Sequence, residues 1–122
     1  MAEFEEHFNL GCEAFKAGDY DKAVEELETA TQLDHQNNRA FSYLGAAYAA
    51  KNRYNAAIGA FKTAEQIAPQ VASIHYNIAQ AYEANGILNE AEYEYERALE
   101  LDPHYAKAQE ALAKVKKRLH HV

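Results

Sequence analysis

Apolar residues in this chain recur with the spacing of one helix face, and the whole pattern returns every 34 positions. The positions that stay in step hold similar residue types in three successive units. These positions are Leu10-Gly11, Leu44-Gly45 and Ile78-Ala79; Ala14, Tyr48 and Tyr82; Ala23, Ala57 and Ala91; Leu27, Phe61 and Tyr95; Ala30, Ala64 and Ala98; and His35, Pro69 and Pro103. A period of tens of residues is typical of stacked units rather than of one globular core.

Each unit divides into two helical stretches. In the middle unit, apolar residues at helical spacing cover 39–50 and resume over 54–67, and Pro69 then ends the second stretch. The interruptions between the two stretches of each unit are short, and they fall at 17–18, 51–53 and 85–86. Because Gly and Asn tolerate the left-handed turn that closes a helix, these interruptions predict tight helix-helix connections. The pattern therefore predicts an all-α chain of helix pairs.

The second helices are expected to begin at equivalent residues. Asp21, Asn55 and Asn89 share one repeat position, and each carries a short side-chain acceptor that could satisfy the free amides at a helix start. We therefore predict that these three residues are helix caps.

Small residues recur where the helices of a pair should cross. Gly11 and Gly45 lie in the middle of first helices, where glycine costs about 1 kcal/mol relative to alanine. We expect a bulky side chain of the partner helix, such as Leu27 or Phe61, to approach each of them.

One more helix is predicted after Pro103, over roughly 104–119. Its apolar stripe is Tyr105, Ala108, Leu112, Val115 and Leu119. Its other face carries Lys107, Glu110, Lys114, Lys117 and Arg118. Because a stack of repeats has an open apolar end, a terminal helix of this kind is expected to cover it.

Composition and charge narrow the class of partner. The 122 residues are 48% hydrophobic and carry a formal net charge of -7, which indicates a folded chain that is poorly suited to a nucleic-acid backbone. The sequence has no run of 18 apolar residues and opens on an acidic segment without a signal-peptide core. Cys12 is the single cysteine, so no intrachain disulfide can form. We expect a cytoplasmic protein without a membrane span.

The set of leucine-glycine, tyrosine, alanine, phenylalanine, alanine and proline at these offsets resembles the tetratricopeptide repeat. The middle unit matches best, through Leu44, Gly45, Tyr48, Ala57, Phe61, Ala64 and Pro69. The first unit departs at His35, where the family usually has proline, and the family's early tryptophan position holds His7, Phe41 and His75. The resemblance implies an all-α, right-handed superhelical α-solenoid. Its three repeats would span 4–103, in register as 4–37, 38–71 and 72–105, with a capping helix and tail at 104–122.

The resemblance also implies that the first helix of each pair lines a concave groove that holds a peptide or a partner helix. Helical spacing then selects the candidates Glu5, Phe8, Cys12 and Phe15 on the first helix, Arg39, Ser42, Tyr43, Ala46 and Ala49 on the second, and Ser73, Tyr76, Asn77, Gln80 and Glu83 on the third. Aromatic, small and hydrogen-bonding side chains together suit a peptide with apolar anchors. Two questions stay open: whether Asn77 contacts a ligand or only solvent, and whether Phe8 and Phe15 form an exposed patch or pack beneath the second repeat.

Some members of this family hold the C-terminal carboxylate of a heat-shock chaperone tail with Lys and Asn on the first groove helix, Asn on the second, and Lys and Arg on the third. The matching places here are Phe8, Cys12, Tyr43, Ser73 and Asn77. Because none of them is a cation, and a desolvated carboxylate needs a charged partner, we predict that the chain does not bind chaperone tails in that way.

The sequence shows no constellation typical of catalysis or of a cofactor. Cys12 has no base near it in sequence, and no phosphate loop or metal-binding histidine motif is present. His7 and His75 share a repeat position, which favours packing over metal ligation, and His120-His121 is a weak ligand pair at most. We therefore predict a non-enzymatic module that binds a protein or peptide as a monomer or weak homo-oligomer. The alternative is a scaffold that self-associates through its convex face or its ends.

Overall fold

The computed structural model describes residues 2–120 of the chain. Within that range the chain forms seven helices and no strand. The helices are α1 (Ala2–Lys16), α2 (Tyr20–Leu33), α3 (Asn38–Ala50), α4 (Tyr54–Ile67), α5 (Ala72–Ala84), α6 (Leu88–Leu101) and α7 (Ala106–His120). Each helix packs against the next one in the chain, and α1 also contacts α3, as α3 contacts α5. The first helices of the pairs therefore form one inner row.

The turns within the helix pairs lie where the sequence predicts them. Gly18, Asn52 and Gly86 have φ values of 82°, 63° and 80°, the left-handed conformation that reverses the chain in a few residues. The second helices end at Ile67 and Leu101, two residues before each proline. The predicted breaks are therefore confirmed.

The predicted helix caps are wrong by two residues. The helices α2, α4 and α6 begin at Tyr20, Tyr54 and Leu88, so Asp21, Asn55 and Asn89 already lie inside the first turn. Asp19 caps α2 instead, and its carboxylate accepts a hydrogen bond from the Lys22 amide at 3.2 Å. The cap positions of α4 and α6 are Arg53 and Ile87, neither of which makes a side-chain cap bond. The reason is that each left-handed residue is followed by only one more residue before the helix resumes.

The two mid-helix glycines lie where large side chains cross. A Cβ on Gly11 would stand 2.5 Å from Leu27 Cγ, and a Cβ on Gly45 would stand 2.6 Å from two ring atoms of Phe61. Both partner side chains are almost fully buried, Leu27 at 0% and Phe61 at 3% exposure. The predicted close approach in the first two helix pairs is therefore confirmed.

The core is a row of three apolar clusters that follows the stack. The first contains Leu27 and Leu44, the second Phe61 and Ile78, and the third Tyr95 and Val115. Tyr48 packs against the first and second clusters, and Tyr82 packs against the second and third. Each cluster thus depends on its neighbour, as expected for a stack whose single units cannot bury their apolar faces alone.

The last helix covers the end of the stack with the predicted stripe. Ala108 and Val115 are fully buried against the third cluster, and Tyr105, Leu112 and Leu119 pack around them. Residues 121–122 of the predicted tail, His121 among them, lie outside the described residues. No helix within 2–120 is long and apolar enough to cross a bilayer.

Candidate functional site

Three cavities follow one another along the inner row of helices. The largest, of about 560 Å³, lies between α3 and α5 and reaches α7. It shares Ala46 and Asn77 with a cavity of about 180 Å³ toward α1, and Gln80 and Glu83 with one of about 200 Å³ toward α7. Because neighbouring cavities share walls, they form one trough across α1, α3, α5 and α7, which we call the groove.

Aromatic rings form the end of the groove nearest α1. Phe8 and Phe15 each meet Tyr43 of α3 edge-on, with ring centroids 5.9 Å and 6.0 Å apart. The Arg39 guanidinium lies 5.4 Å from the centroid of the Phe8 ring, in cation-π contact. Both phenylalanines are half-buried against the first core cluster. Of the two possibilities left open by the sequence, the geometry favours packing on the second repeat, with part of each ring still accessible.

Cys12 lies on the same helix face, between Phe8 and Phe15. Its thiol is free and half-buried, and burial is the main cause that raises its pKa above the ordinary value. A raised pKa keeps the thiol protonated near neutral pH, which suits a small packing residue better than a nucleophile.

The centre of the groove is polar and lies on α5. Asn77 is half-buried and borders both the largest cavity and the smaller one toward α1. Within residues 2–120 its carboxamide has no hydrogen-bond partner, and a carboxamide offers both a donor and an acceptor. Gln80, one turn further on, donates a hydrogen bond of 2.9 Å to the Tyr76 hydroxyl.

A buried tyrosine supports the far wall. The hydroxyl of Tyr95, a residue with 0% exposure, donates a 2.6 Å hydrogen bond to Glu83 on the groove surface. Burial first, and then this bond, raise the pKa of Tyr95 far above its ordinary value. The second oxygen of Glu83 lies 3.6 Å from the Arg118 guanidinium. Glu83 and Arg118 therefore place opposite charges side by side on this wall.

The structure brings together most of the residues that the sequence selects. Nine of them border the groove cavities: Phe15, Ser42, Tyr43, Ala46, Ala49, Tyr76, Asn77, Gln80 and Glu83. Phe8 packs against Tyr43, which borders the groove, and Arg39 lies over the Phe8 ring. Ser73 is exposed at the start of α5, one turn before Asn77.

The sequence reading missed the contribution of the last helix. Lys107, Lys114 and Arg118 lie off the apolar stripe, as expected, and also border the groove. Together with Ala111 they are spaced four, three and four residues apart, which is a second helical stripe beside the apolar one. This spacing is the sequence signal that could have identified these residues as one helix face. No local feature of the sequence, however, indicates that this face of α7 lies toward the groove.

His7 and His75 do not line the groove cavities, and each lies between the two helices of its own repeat. His7 Nδ1 is 2.6 Å from a Glu26 oxygen, and His75 Nδ1 is 3.0 Å from a Glu94 oxygen. Glu65 lies close to the second pair, with its carboxylate 3.7 Å from His75 Nδ1. This is the place in the described chain where side chains could hold a metal ion.

Comparison with known proteins defines the family. Models described as tetratricopeptide repeats match residues 8–72 and 72–105. The first match alone covers more than half of the sequence, and the chain belongs to the tetratricopeptide repeat family. The expected all-α, right-handed superhelical α-solenoid of three repeats and a capping helix is thereby confirmed.

Three known proteins are similar to this chain in sequence or in structure. Heat shock protein STI1 of Saccharomyces cerevisiae is 31% identical over 112 residues, 91% of this chain and 19% of its own length. The second repeat domain of human RPAP3, solved with the HSP70 peptide SGPTIEEVD, is 25% identical with a TM-score of 0.90 and covers 95% of this chain and 97% of that one. PcrH, solved with the chaperone binding region of PopD, is 25% identical with a TM-score of 0.88 over 93% and 91% of the two chains.

Proposed function

We propose that this chain is a non-enzymatic adaptor that binds a peptide or helical segment of a partner protein in the groove. The observation that carries this proposal is the uncommitted Asn77 carboxamide at the centre of a trough that has aromatic rings at one end. An amide that both donates and accepts can pair with a peptide backbone, and the edges of Phe8 and Phe15 offer contact for apolar anchors. RPAP3 and PcrH, which share the fold at 25% identity, were both solved with such segments.

The partner is expected to be something other than a chaperone tail held by its carboxylate. The five places at which family members carry that contact lie along the inner helices as Phe8, Cys12, Tyr43, Ser73 and Asn77. None of them is charged, and the Arg118 guanidinium, further along the groove, already lies beside Glu83. At those five places a buried terminal carboxylate would therefore lack a charge-assisted hydrogen bond. Fluorescence anisotropy with the peptide SGPTIEEVD should detect no binding tighter than about 1 mM.

A paired substitution tests the groove itself. Phe8→Ala together with Asn77→Ala should weaken binding to a partner captured from the native cell at least about tenfold, since each removes more than roughly 1 kcal/mol of contact. The matched control is Tyr93→Ala with Asn89→Ala, which removes an aromatic ring and an amide from exposed positions on α6. The control should bind as well as the unaltered chain.

Circular dichroism should show equal helicity for the two double variants. Because Phe8 also packs against the core, Asn77→Ala alone is the variant to compare if the pair loses stability. Full binding by the groove variant together with loss in the α6 control would place the partner on the outer face. Mass that rises with concentration in light scattering, and falls in the α6 control, would instead support self-association.

A further inference from the structure

The histidine-glutamate pairs are not required by the fold. His7 with Glu26 and His75 with Glu94 occupy the same two places in the first and third repeats, 19 residues apart in each case. In the second repeat those places hold Phe41 and Ala60, which pack in the core clusters. Apolar residues therefore stand at the same two places, and packing alone does not require a histidine and a glutamate there.

Beside the histidine-glutamate pair of the third repeat lies an additional carboxylate, which could act as a third metal ligand. Glu65, from α4 of the preceding repeat, brings a carboxylate oxygen to 3.7 Å from His75 Nδ1, opposite the Glu94 oxygen at 3.0 Å. The three ligand atoms lie within 4.8 Å of one another. The His75 side chain is 2% exposed and that of Glu94 11%, whereas Glu65 at 32% opens the cluster to solvent.

The surroundings of the ring favour a cation beside Nδ1. The other ring nitrogen, Nε2, lies 3.3 Å from the Pro69 carbonyl oxygen and can donate its proton there. Nδ1 faces the carboxylate oxygens of Glu94 and Glu65, and these oxygens are satisfied either by a proton on Nδ1 that is donated to Glu94 or by a metal ion between the three side chains. A backbone carbonyl that fixes the far nitrogen is also the usual support of a metal-binding histidine.

The distances fit a tetrahedral ion. Zinc bonds to histidine nitrogen and carboxylate oxygen are about 2.0–2.2 Å long, so two ligand atoms of a tetrahedral site lie roughly 3.4 Å apart. The observed separations from Nδ1 of 3.0 Å and 3.7 Å bracket that value. Two carboxylates also balance the charge of a divalent ion.

We propose that Glu65, His75 and Glu94 form a site for one divalent transition-metal ion of the zinc type, with water at the fourth position beside Glu65. Lys62, which lies over the Tyr82 ring at 5.7 Å, and Arg97, whose guanidinium donates to the Tyr93 hydroxyl at 2.9 Å, are near enough to attract the same carboxylates, so a bound ion would compete with them. The site joins α4 of the second repeat to α5 and α6 of the third. Because α5 also carries the polar centre of the groove, a bound ion would fix that wall in place.

Calorimetric titration and thermal unfolding test the site on the full chain. After treatment with a chelator, Zn²⁺ should bind one to one, and a hundredfold excess over Kd should raise Tm by about 10 °C. The long-range ¹H–¹⁵N spectrum should show the Nδ1 resonance of His75 shift on addition of Zn²⁺.

The preceding repeats supply substitutions that the fold already accepts. Glu65→Thr, His75→Phe and Glu94→Ala each introduce the residue found one repeat earlier, at Thr31, Phe41 and Ala60. Each should abolish the zinc-dependent rise in Tm while leaving the helical spectrum of the chelated protein unchanged. Glu65→Thr is the decisive variant, because its side chain is the most exposed of the three and the least involved in packing.

Two controls separate this site from other histidines. His7→Phe removes a histidine-glutamate pair that has no third ligand, so it should leave zinc binding intact. His120, which lies 3.7 Å from Glu92 at the end of α7, is a possible adventitious ligand, and His120→Ala should also leave the effect intact. No saturable binding, a full zinc effect in Glu65→Thr, or an effect that disappears with His120 would each overturn the proposal.

Discussion

Replacing Gly45 by alanine measures how tightly the second helix pair is packed. Alanine is the better helix former, and in the middle of α3 that preference alone would stabilise the chain by about 1 kcal/mol. The added methyl, however, would stand 2.6 Å from two ring atoms of Phe61 and 2.9 Å from a third. The ring is 3% exposed within the second core cluster, so it has little room to move away.

Gly59 provides the matched change without the clash. It lies in the middle of α4 on the exposed side, and a Cβ there would meet nothing within 4 Å. Overpacking a core costs about 1–3 kcal/mol, and three close ring atoms favour the upper half of that range at Gly45. We therefore expect Gly45→Ala to lower the free energy of unfolding by about 1–2 kcal/mol and Gly59→Ala to raise it by about 0.5–1 kcal/mol.

Thermal and urea unfolding followed by circular dichroism would measure both variants. For a chain of this length, about 1 kcal/mol shifts Tm by roughly 3–5 °C, so the two variants should differ by about 10 °C. Tyrosine fluorescence should give the same transition, because short repeat arrays can unfold in parts. If Gly45→Ala were as stable as Gly59→Ala, the Phe61 ring would not be held as described. Ala79 occupies the repeat position of Gly45 in the third helix pair, where Tyr95 replaces Phe61. Because the fold accepts alanine there, the expected cost of Gly45→Ala comes from the crossing of α3 with α4 and not from the fold in general.

Two further predictions concern a helix cap and the response to alkaline pH. Asn37 accepts a 3.0 Å hydrogen bond from the Ala40 amide, so Asn37→Ala should lower the free energy of unfolding in urea by about 1 kcal/mol. Asn89 lies inside the first turn of α6, so Asn89→Ala should change that free energy by no more than about 0.5 kcal/mol. Equal effects of the two substitutions would refute the assignment of the cap. Burial, and then a hydrogen bond to Glu28, raise the pKa of Tyr48 to about 12, against about 10 in an unfolded chain. This contribution to stability is complete below about pH 10 and is lost as pH rises toward 12. The Tm of the unaltered chain should therefore fall over that range, and the Tm of Tyr48→Phe should fall less steeply. Ultraviolet titration that showed every tyrosine of the folded chain ionising near pH 10 would contradict the prediction.

Much of the fold could be predicted because its signals are local or periodic. Gly18 and Gly86 take the left-handed turn that only a few residue types tolerate, and the prolines after α4 and α6 cannot continue a helix. The three matching units reinforce one another, so a weak signal in one repeat is supported by the next. The prediction of the helix caps was wrong although Asp21, Asn55 and Asn89 have the right chemistry. Each second helix begins two residues earlier than these side chains suggest.

The candidate site was predicted only in part. Helical spacing selected Asn77 and Gln80, and both border the largest cavity because neighbouring first helices point the same face inward. It could not say that Phe8 and Phe15 would lean edge-on against one tyrosine of the next repeat, nor that the carboxamide at the centre would remain without a partner in the described chain. Those outcomes depend on the distance between α1, α3 and α5, which no single stretch of sequence records.

The sequence by itself determined the helix pairs, their order, the small residues at their crossings and the family, since each follows from periodicity and from the backbone preferences of a few residues. Only the tertiary structure placed Arg118 beside Glu83 and gathered Glu65 and Glu94 around His75. The physical reason is the distance along the sequence between the residues that interact. Turns and helix faces are decided by interactions within a few residues, whereas these side chains meet because stacking brings separate helices together at an angle that the whole core sets.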